Sequence, residues 1–500
     1  MIAVFDWFER WADYTPDKVA ASEYETGREF TYAQIHNLSG HIAFWFEKEL
    51  NLGKGDRIAM LAENCLEYIA LFAVAQKTGV ILVPLNYRLT EMELDHLLSD
   101  CEPTLAIVEE KFIPKVQNSS RYGEIRLKVR MEDFSQRCNS LIASGETSNY
   151  KSRELHENDP VFLIFTSGTT AFPKGSVYTH KMLFWNSINT QMRLDLTSSD
   201  RSINCAPPFH TGSWNVLETP FLHHGAYTLM MKNFNADVVL DALEKYELTI
   251  FWAVPTMLKM MADSAVFEKA DLAKVRYVIV GGEAMPIPLI EKWHQKGILV
   301  RQGYGLTEVG PNVTSLNHQD AIRKQGSIGK PNFYYQVKLV DEQNIESPPG
   351  ETGEFVIKAP TVTPGYWNNE EATRNTIVDG WFHTGDLMRC DEEGYYYVVD
   401  RLKNMYISGG ENVYPAEVER VLLTHPAVEA VIITGVPDEK WGESGKAFVV
   451  RKKGIEVSEE MLINYCRERM AKYKIPKYVD FLDELPKNDA GKIDRKKLKN

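Results

Sequence analysis

Short apolar runs alternate with stretches of helical periodicity over the first two-thirds of the chain. "RIAMLAE" (57–63) predicts a buried strand, "CLEYIALFAVAQKTG" (65–79) a helix stopped by Gly79, and "VILVPL" (80–85) the next strand. The pattern returns in "AYTLMM" (226–231), "ADVVLDALEKYE" (236–247), "TIFWAV" (249–254), "PTMLKMMAD" (255–263) and "VRYVIVGGE" (275–283). Strand–helix–strand alternation at this spacing predicts parallel sheets covered by helices. Ligands in such sheets gather at the carboxyl ends of strands, where "TSGTTAFPKG" (166–175) and "GGEAMP" (281–286) fall.

After about Gly350 the texture changes to "GEFVIK" (353–358), "GYYYVVD" (394–400) and turn-rich connections, which predicts a smaller β-rich section. "DRLKNMYISGGENVYPAEVE" (400–419) then brings charge, glycine and a helix start together. "VEAVIIT" (428–434), "GKAFVVR" (445–451) and the helical "EEMLINYCRERMAKY" (459–473) predict a compact α+β unit. The expected fold is α/β. A large N-terminal domain of parallel or mixed sheets with a small β-rich subdomain spans 1–400, and a small α+β domain spans 401–500.

Five hundred residues are too many for one core, in agreement with that division. With 44% apolar and 25% charged residues the chain has an ordinary soluble composition. The opening "MIAVFDWFERWADYTPDK" lacks the basic start and apolar core of a secretory signal. The most apolar stretch, Leu66 to Leu85, is interrupted by Glu67, Gln76 and Lys77, so no membrane span is expected. Six scattered cysteines without a CxxC pair argue for reduced thiols, hence a cytoplasmic protein, and against a disulfide framework or zinc knuckle.

Net charge is −13, unevenly placed. Residues 401–500 carry 19 Lys and Arg against 16 Asp and Glu, whereas the remainder carries 37 against 53. An acidic body argues against nucleic acid and anionic lipid as partners. A slightly basic small domain closing over an anionic ligand is compatible with the asymmetry.

A phosphate site needs unencumbered backbone N–H groups, hydroxyl donors and usually a cation. "TSGTTAFPKG" offers Thr166, Ser167, Thr169 and Thr170, the turn glycines Gly168 and Gly175, and Lys174. It is not a Walker A loop, because Pro173 precedes the lysine and Gly175 follows it. Taken alone, it is equally an ordinary solvated Ser/Thr/Gly connection.

The remaining motifs change that balance. "TSGTTAFPKG", "APPFHTGSWN" (206–215), "VGGEAMP" (280–286), "QGYGLTEVGP" (302–311), "GSIGKP" (326–331), "WFHTGDL" (381–387), "DRLKNMYISGGENVYPAEVE" and "LPKNDAGKIDRKKL" (485–498) stand in one order along nearly the whole chain. Together they resemble the adenylate-forming superfamily, in particular its acyl-CoA synthetases of the fatty-acid–CoA ligase type. The resemblance implies ATP, Mg²⁺ and coenzyme A as cosubstrates and cofactor, a carboxylic acid as substrate, and a C-terminal domain that rotates between half-reactions. The family leaves a homodimer open.

Residue by residue, the resemblance places Thr166, Ser167, Gly168, Thr169, Thr170 and Lys174 on the phosphates. It places Gly282, Glu283, Ala284, Tyr304 and Gly305 at the nucleotide, Tyr304 against adenine, with Thr307 on phosphate and Glu308 on Mg²⁺. Asp386 and Arg401 contact the ribose, a task suited to an ionised carboxylate in Asp386. Lys492 enters to neutralise charge at the α-phosphate, and Lys403 is the hinge, near 400–403. Gly409 faces a pantetheine arm, His210 stands between nucleotide and acid, and Trp214, Val254 and Gly281 line the acyl pocket. His223 and His224 lack partners at metal spacing, so no transition-metal site is expected.

The resemblance implies that the carboxylic acid is a medium- or long-chain fatty acid, with an aryl or phenylpropanoid acid as the alternative. Two further readings differ: a separate carrier protein as acceptor, or luminescent oxidation; and a non-catalytic binder. The last rests on Ala171, which stands where the family usually has glycine. A positive φ there would cost alanine about 1 kcal/mol; a negative φ would merely stiffen the loop.

Overall fold

The computed structural model describes all residues except 1–2, 167–172, 283–284, 349, 409–410, 439–440, 471, 488–492 and 499–500, and leaves out the side chains of Asn412 and Lys496. The chain divides into two compact units, Met1–Gln336 with Ile357–Phe382, and Val337–Val356 with His383–Asn500.

In the first unit the expected alternation produces three sheets. The largest runs Leu127–Arg130, Leu105–Val108, Arg57–Leu61, Ile81–Pro84, Pro160–Thr166, Lys174–Thr179 in spatial order. Its first five strands are parallel. The last turns back antiparallel, with Thr166 opposite Lys174. A second sheet sets Ile250–Ala253, Tyr277–Val280 and Val300–Leu306 side by side in parallel. It continues antiparallel through Gly310–Ser315 and Lys330–Pro331. The third orders Glu29–Thr31, Val19–Glu23, Tyr227–Met230 and Arg201–Asn204.

Local chemistry fixes where the helices begin and end. Thr31 and Gln34 form a reciprocal capping box at Tyr32–Lys48, as do Thr90 and Glu93 at Glu91–Cys101. Leu66–Thr78 stops at Gly79, whose φ of 77° a glycine adopts without strain. Every residue of that helix is buried, which accounts for its long apolar run, and its polar interruptions are all paired. Glu67 receives Arg28 at 2.7 Å, the Gln76 Oε1 accepts the Trp7 amide, and Lys77 meets Asp6. Among the described residues no helix is long and apolar enough to cross a membrane. None of the six thiols is in a disulfide.

The second unit has its own core, in which Tyr406, Val418, Leu422, Val431, Ile433 and Val449 are buried together. One of its sheets orders Glu411–Val413, Tyr406–Ser408, Gly442–Arg451 and Val428–Asp438, with Tyr478–Leu482 parallel to Gly442–Arg451. Helices Pro415–Leu423 and Glu459–Arg467 complete it. Mixed α/β architecture with a smaller C-terminal domain is what the alternation of the sequence predicts.

Candidate active site

In the first unit the carboxyl end of strand Pro160–Thr166, with Lys174–Thr179 paired back against it, meets the turn Thr307–Val309, which joins Val300–Leu306 to Gly310–Ser315. That turn is tight enough to require glycine on both sides. A Cβ on Gly305 would lie 2.2 Å from the Pro311 carbonyl oxygen, and Gly310 takes φ of 73°. This geometry presents Thr307 and Glu308 at the strand end, 9% and 8% exposed.

The Thr166 hydroxyl donates to Glu308 Oε1 at 3.0 Å, and the Tyr366 hydroxyl donates to the same oxygen at 3.1 Å. The Thr363 amide holds the Glu308 carbonyl at 2.7 Å, and the Lys174 ammonium lies 5.3 Å from the centre of the Tyr366 ring. Burial and the adjacent Glu308 carboxylate push the Tyr366 phenol well above its ordinary pKa, so it remains a donor at neutral pH. Tyr366 was not among the residues expected from sequence. Its signal, a tyrosine in "PGYW" 58 residues past Glu308, carries no local pattern.

Among the described residues no three His, Cys, Asp or Glu side chains cluster to hold a metal by themselves. A single buried carboxylate beside a phosphate-type loop suits a hard cation that takes its remaining ligands from phosphate oxygens and water. Glu308 fits that donor set, and Mg²⁺ held there would neutralise phosphate charge.

The carboxyl ends of the three parallel strands carry the next group. Gly281 and Gly282 follow Tyr277–Val280, Val254 follows Ile250–Ala253, and Tyr304 ends the inner part of Val300–Leu306. Gly282 has φ of 84°, and a Cβ there would stand 3.6 Å from Val254 Cγ1. A Cβ on Gly281 would stand 3.5 Å from the Gly303 carbonyl oxygen and 3.9 Å from Trp252 Nε1. Those glycines leave room that any side chain would fill.

Trp214, assigned to the acyl pocket, is 2% exposed and packs in the main core, 4.9 Å from Phe162 between ring centroids, with its Nε1 donating to the Pro208 carbonyl at 2.8 Å. The π-helical turn Gly212–Val216 rotates it inward. The indole that reaches the strand ends is Trp252, which runs from beside Gly281 to Gly212, where a Cβ would collide with it at 2.5 Å. His210 opens that turn, its carbonyl accepting the Ser213 amide at 3.0 Å and its ring 4.6 Å from Phe209.

In the second unit, Asp386 and Arg401 face each other across an antiparallel pair, with Arg401 Nε 2.5 Å from Asp386 Oδ1. Lys403 lies in the turn Leu402–Asn404, which Asp400 organises. The Asp400 carboxylate accepts the Arg401 amide at 2.6 Å, Asn404 Nδ2 at 3.1 Å and the Ala416 amide at 2.7 Å. Ser167, Gly168, Thr169, Thr170, Ala171, Glu283, Ala284, Gly409 and Lys492 lie outside the described residues.

Residues 8–367 match the model of the AMP-binding enzyme family, and residues 417–492 that of the AMP-binding enzyme C-terminal domain. The chain belongs to the AMP-binding enzymes.

As an AMP-binding enzyme it is 37% identical over 467 residues to a feruloyl-CoA synthase of Amycolatopsis sp., covering 93% of each chain. It is 36% identical over 486 residues to the long-chain-fatty-acid–CoA ligase FadD13 of Mycobacterium tuberculosis, covering 96% and 95%. It superposes on o-succinylbenzoate CoA synthetase (MenE) of Bacillus subtilis, solved with its acyl-adenylate intermediate, with a TM-score of 0.88. Identity there is 31%, with 100% and 99% of the two chains covered. That synthetase has also been solved with ATP and a magnesium ion. This AMP-binding enzyme is thus an acid–thiol ligase of the acyl-CoA ligase type. The acids in those three names differ widely, so kinship decides the reaction type and the pocket must decide the acid.

Proposed function

We propose that the protein condenses a carboxylic acid with coenzyme A at the expense of ATP, through an acyl-adenylate. A carboxylate oxygen of the acid attacks the α-phosphorus of ATP, the bond to the bridging oxygen breaks, and pyrophosphate leaves. The sulfur of coenzyme A then attacks the acyl carbon and expels AMP. Splitting the condensation in this way replaces a poor leaving group with a good one.

The meeting of Thr166, Tyr366 and Glu308 at one carboxylate oxygen is the observation that carries this reading. It fixes the base of the phosphate loop against the residue suited to Mg²⁺, whose charge when bound offsets that of the phosphates. Thr166, Ser167, Gly168, Thr169, Thr170 and Lys174 hold the β- and γ-phosphates, and Thr307 holds the α-phosphate. Gly282, Glu283, Ala284, Tyr304 and Gly305 enclose the adenine. Asp386 and Arg401 take the ribose hydroxyls, the Asp386 carboxylate accepting.

Lys492 donates to charge developing at the α-phosphate, an electrostatic role whose loss typically costs roughly 10²–10³ in rate. Between half-reactions the C-terminal domain rotates about Lys403. That motion withdraws Lys492 and brings Gly409 against the pantetheine arm, where the missing Cβ allows close approach. His210 separates nucleotide from acid, and closure over the anhydride excludes water.

Trp252 favours an aryl or similarly compact acid over a long alkyl chain. Its indole lies beside Gly281 and reaches to Gly212, a flat aromatic surface against which a ring can stack. Fatty acids are the second reading, favoured by the similarity to FadD13 over 96% of the chain. Pyrophosphate release measured with a panel of acids, with and without coenzyme A, tests the proposal. Release with aryl acids that exceeds release with C8–C16 fatty acids is expected. Acid-independent hydrolysis of ATP would contradict the ligase assignment, and a preference for C12–C16 chains would contradict the acid class.

A further inference from the structure

The strands Arg201–Asn204 and Tyr227–Met230 run in parallel with Ser202 opposite Thr228. Alternation sends Ile203, Tyr227 and Leu229 into an apolar core. It sends Ser202, Asn204 and Thr228 to the opposite face, where Ser202 and Thr228 are each 2% exposed. A sheet buried on both faces ordinarily reads apolar on both, so a buried polar face calls for a reason.

That face looks onto a small cavity that Glu218, Ser213, Gly212 and Trp252 also line. Glu218 is 2% exposed, and Asn204 Nδ2 donates to its Oε2 at 3.1 Å. Its Oε1 has no hydrogen-bond partner, and neither has the Ser202 hydroxyl. Burial, opposed by hydrogen bonds from Asn204 and Thr228, raises the Glu218 carboxyl to about 7. A buried carboxyl oxygen and a buried hydroxyl left unpaired on one cavity are costly, and native structures keep few such groups. Trp252 lines this cavity and also lies beside Gly281 at the candidate acid site.

We propose that this cavity is the far end of the acid pocket and that Glu218 and Ser202 select acids carrying a hydroxyl remote from the carboxylate. The inference rests on the acid–CoA ligase reading of the same site. One hydroxyl satisfies both unpaired groups: its O–H donates to Glu218 Oε1, and its oxygen accepts from Ser202. The cavity is too narrow for a larger polar group. With Ile203, Leu217 and Trp252 on its walls, it holds a small uncharged group better than an ammonium ion. An acid lacking the hydroxyl leaves two buried groups unpaired, the situation in which enzymes discriminate most strongly.

The test is pyrophosphate release by the full-length protein with Mg·ATP and matched acids: cinnamate and 4-hydroxycinnamate, phenylacetate and 4-hydroxyphenylacetate, hexanoate and 6-hydroxyhexanoate. In at least one pair the hydroxylated acid is expected to exceed its parent in kcat/KM by about tenfold or more. Glu218→Leu brings that ratio to within about twofold of one. Glu218→Gln preserves most of it, and Ser202→Ala, a milder change, lowers it. A wild-type ratio near one in every pair, or a ratio that Glu218→Leu and Ser202→Ala leave unchanged, overturns the proposal and assigns the cavity to a buried water. Release with no member of any pair sinks the ligase reading and this inference with it.

Discussion

The Thr166 hydroxyl donates to Glu308 at 3.0 Å, joining a strand end to a hairpin turn 142 residues away in sequence. The Tyr366 phenol reaches the same oxygen from a third segment. Three separate stretches of chain thus hold one buried carboxylate in place, an arrangement that pre-organises it for a cation rather than leaving it to find one. Glu308→Gln is expected to lower kcat for pyrophosphate release roughly 10²–10³-fold and to raise the Mg²⁺ concentration needed for half-maximal rate. Tyr366→Phe removes one donor and costs about tenfold, without altering the Mg²⁺ requirement. A titration of rate against Mg²⁺ for both variants checks this; equal shifts would remove Glu308 from the metal.

On either side of residues 488–492 the chain is anchored. Ile493 pairs with Lys487, and Arg495 donates to both oxygens of Glu419 at 2.7 and 3.0 Å. Glu419 also accepts the Ile433 amide at 2.8 Å. Lys492→Ala should slow adenylate formation far more than thioester formation from preformed acyl-adenylate. Arg495→Met should do the same to a lesser degree, because it loosens the base of the segment that bears the lysine. Single-turnover rates of the two half-reactions separate these effects from a general loss of stability, which would slow both alike.

Lys77 and Asp6 form an ion pair with both side chains 1% exposed, and Lys77 also lies 3.2 Å from His36 Nδ1. Removing one partner leaves a buried charge alone, so Lys77→Met is expected to lower stability by about 3 kcal/mol. Adding Asp6→Asn, which retains an acceptor for the Phe8 and Glu9 amides that Asp6 caps, recovers part of that loss. Urea unfolding of the two variants and the wild type measures the difference.

His180 is 4% exposed, and burial lowers its pKa to about 4 from the ordinary 6.5. The folded protein keeps it neutral while the unfolded chain takes up a proton below 6.5. Its contribution to stability is therefore intact at pH 7 and declines as pH falls from 6.5 towards 4, by about 1.4 kcal/mol per unit at most. His180→Gln should flatten the decline in unfolding free energy between pH 6.5 and 4.5. An unchanged slope would mean that other groups carry it.

Much of this site is legible in the sequence because its residues come as short local motifs at strand ends. "TSGTTAFPKG" and "GYGLTE" each place their chemistry within ten residues, so the alternation of apolar runs suffices to locate them. The antiparallel return of Lys174–Thr179 is a matter of chain length: the stretch after Thr166 is too short for the crossover a parallel strand needs. Tyr366 and Glu218 escape such reading because their partners are distant in sequence and their neighbours show no motif. Trp214 lies inward because the π-helical turn Gly212–Val216 carries it, a feature that apolar periodicity does not reveal.

In the proposed reaction the acid itself cleaves ATP between its α- and β-phosphates. Incubating the enzyme with Mg·ATP labelled in the α-phosphate and its preferred acid, without coenzyme A, and resolving the bound products tests it most directly. Pyrophosphate and a labelled acyl-adenylate are expected in near-equal amounts, the adenylate giving AMP and thioester when coenzyme A is added. Labelled ADP, or AMP formed equally well without the acid, would contradict it.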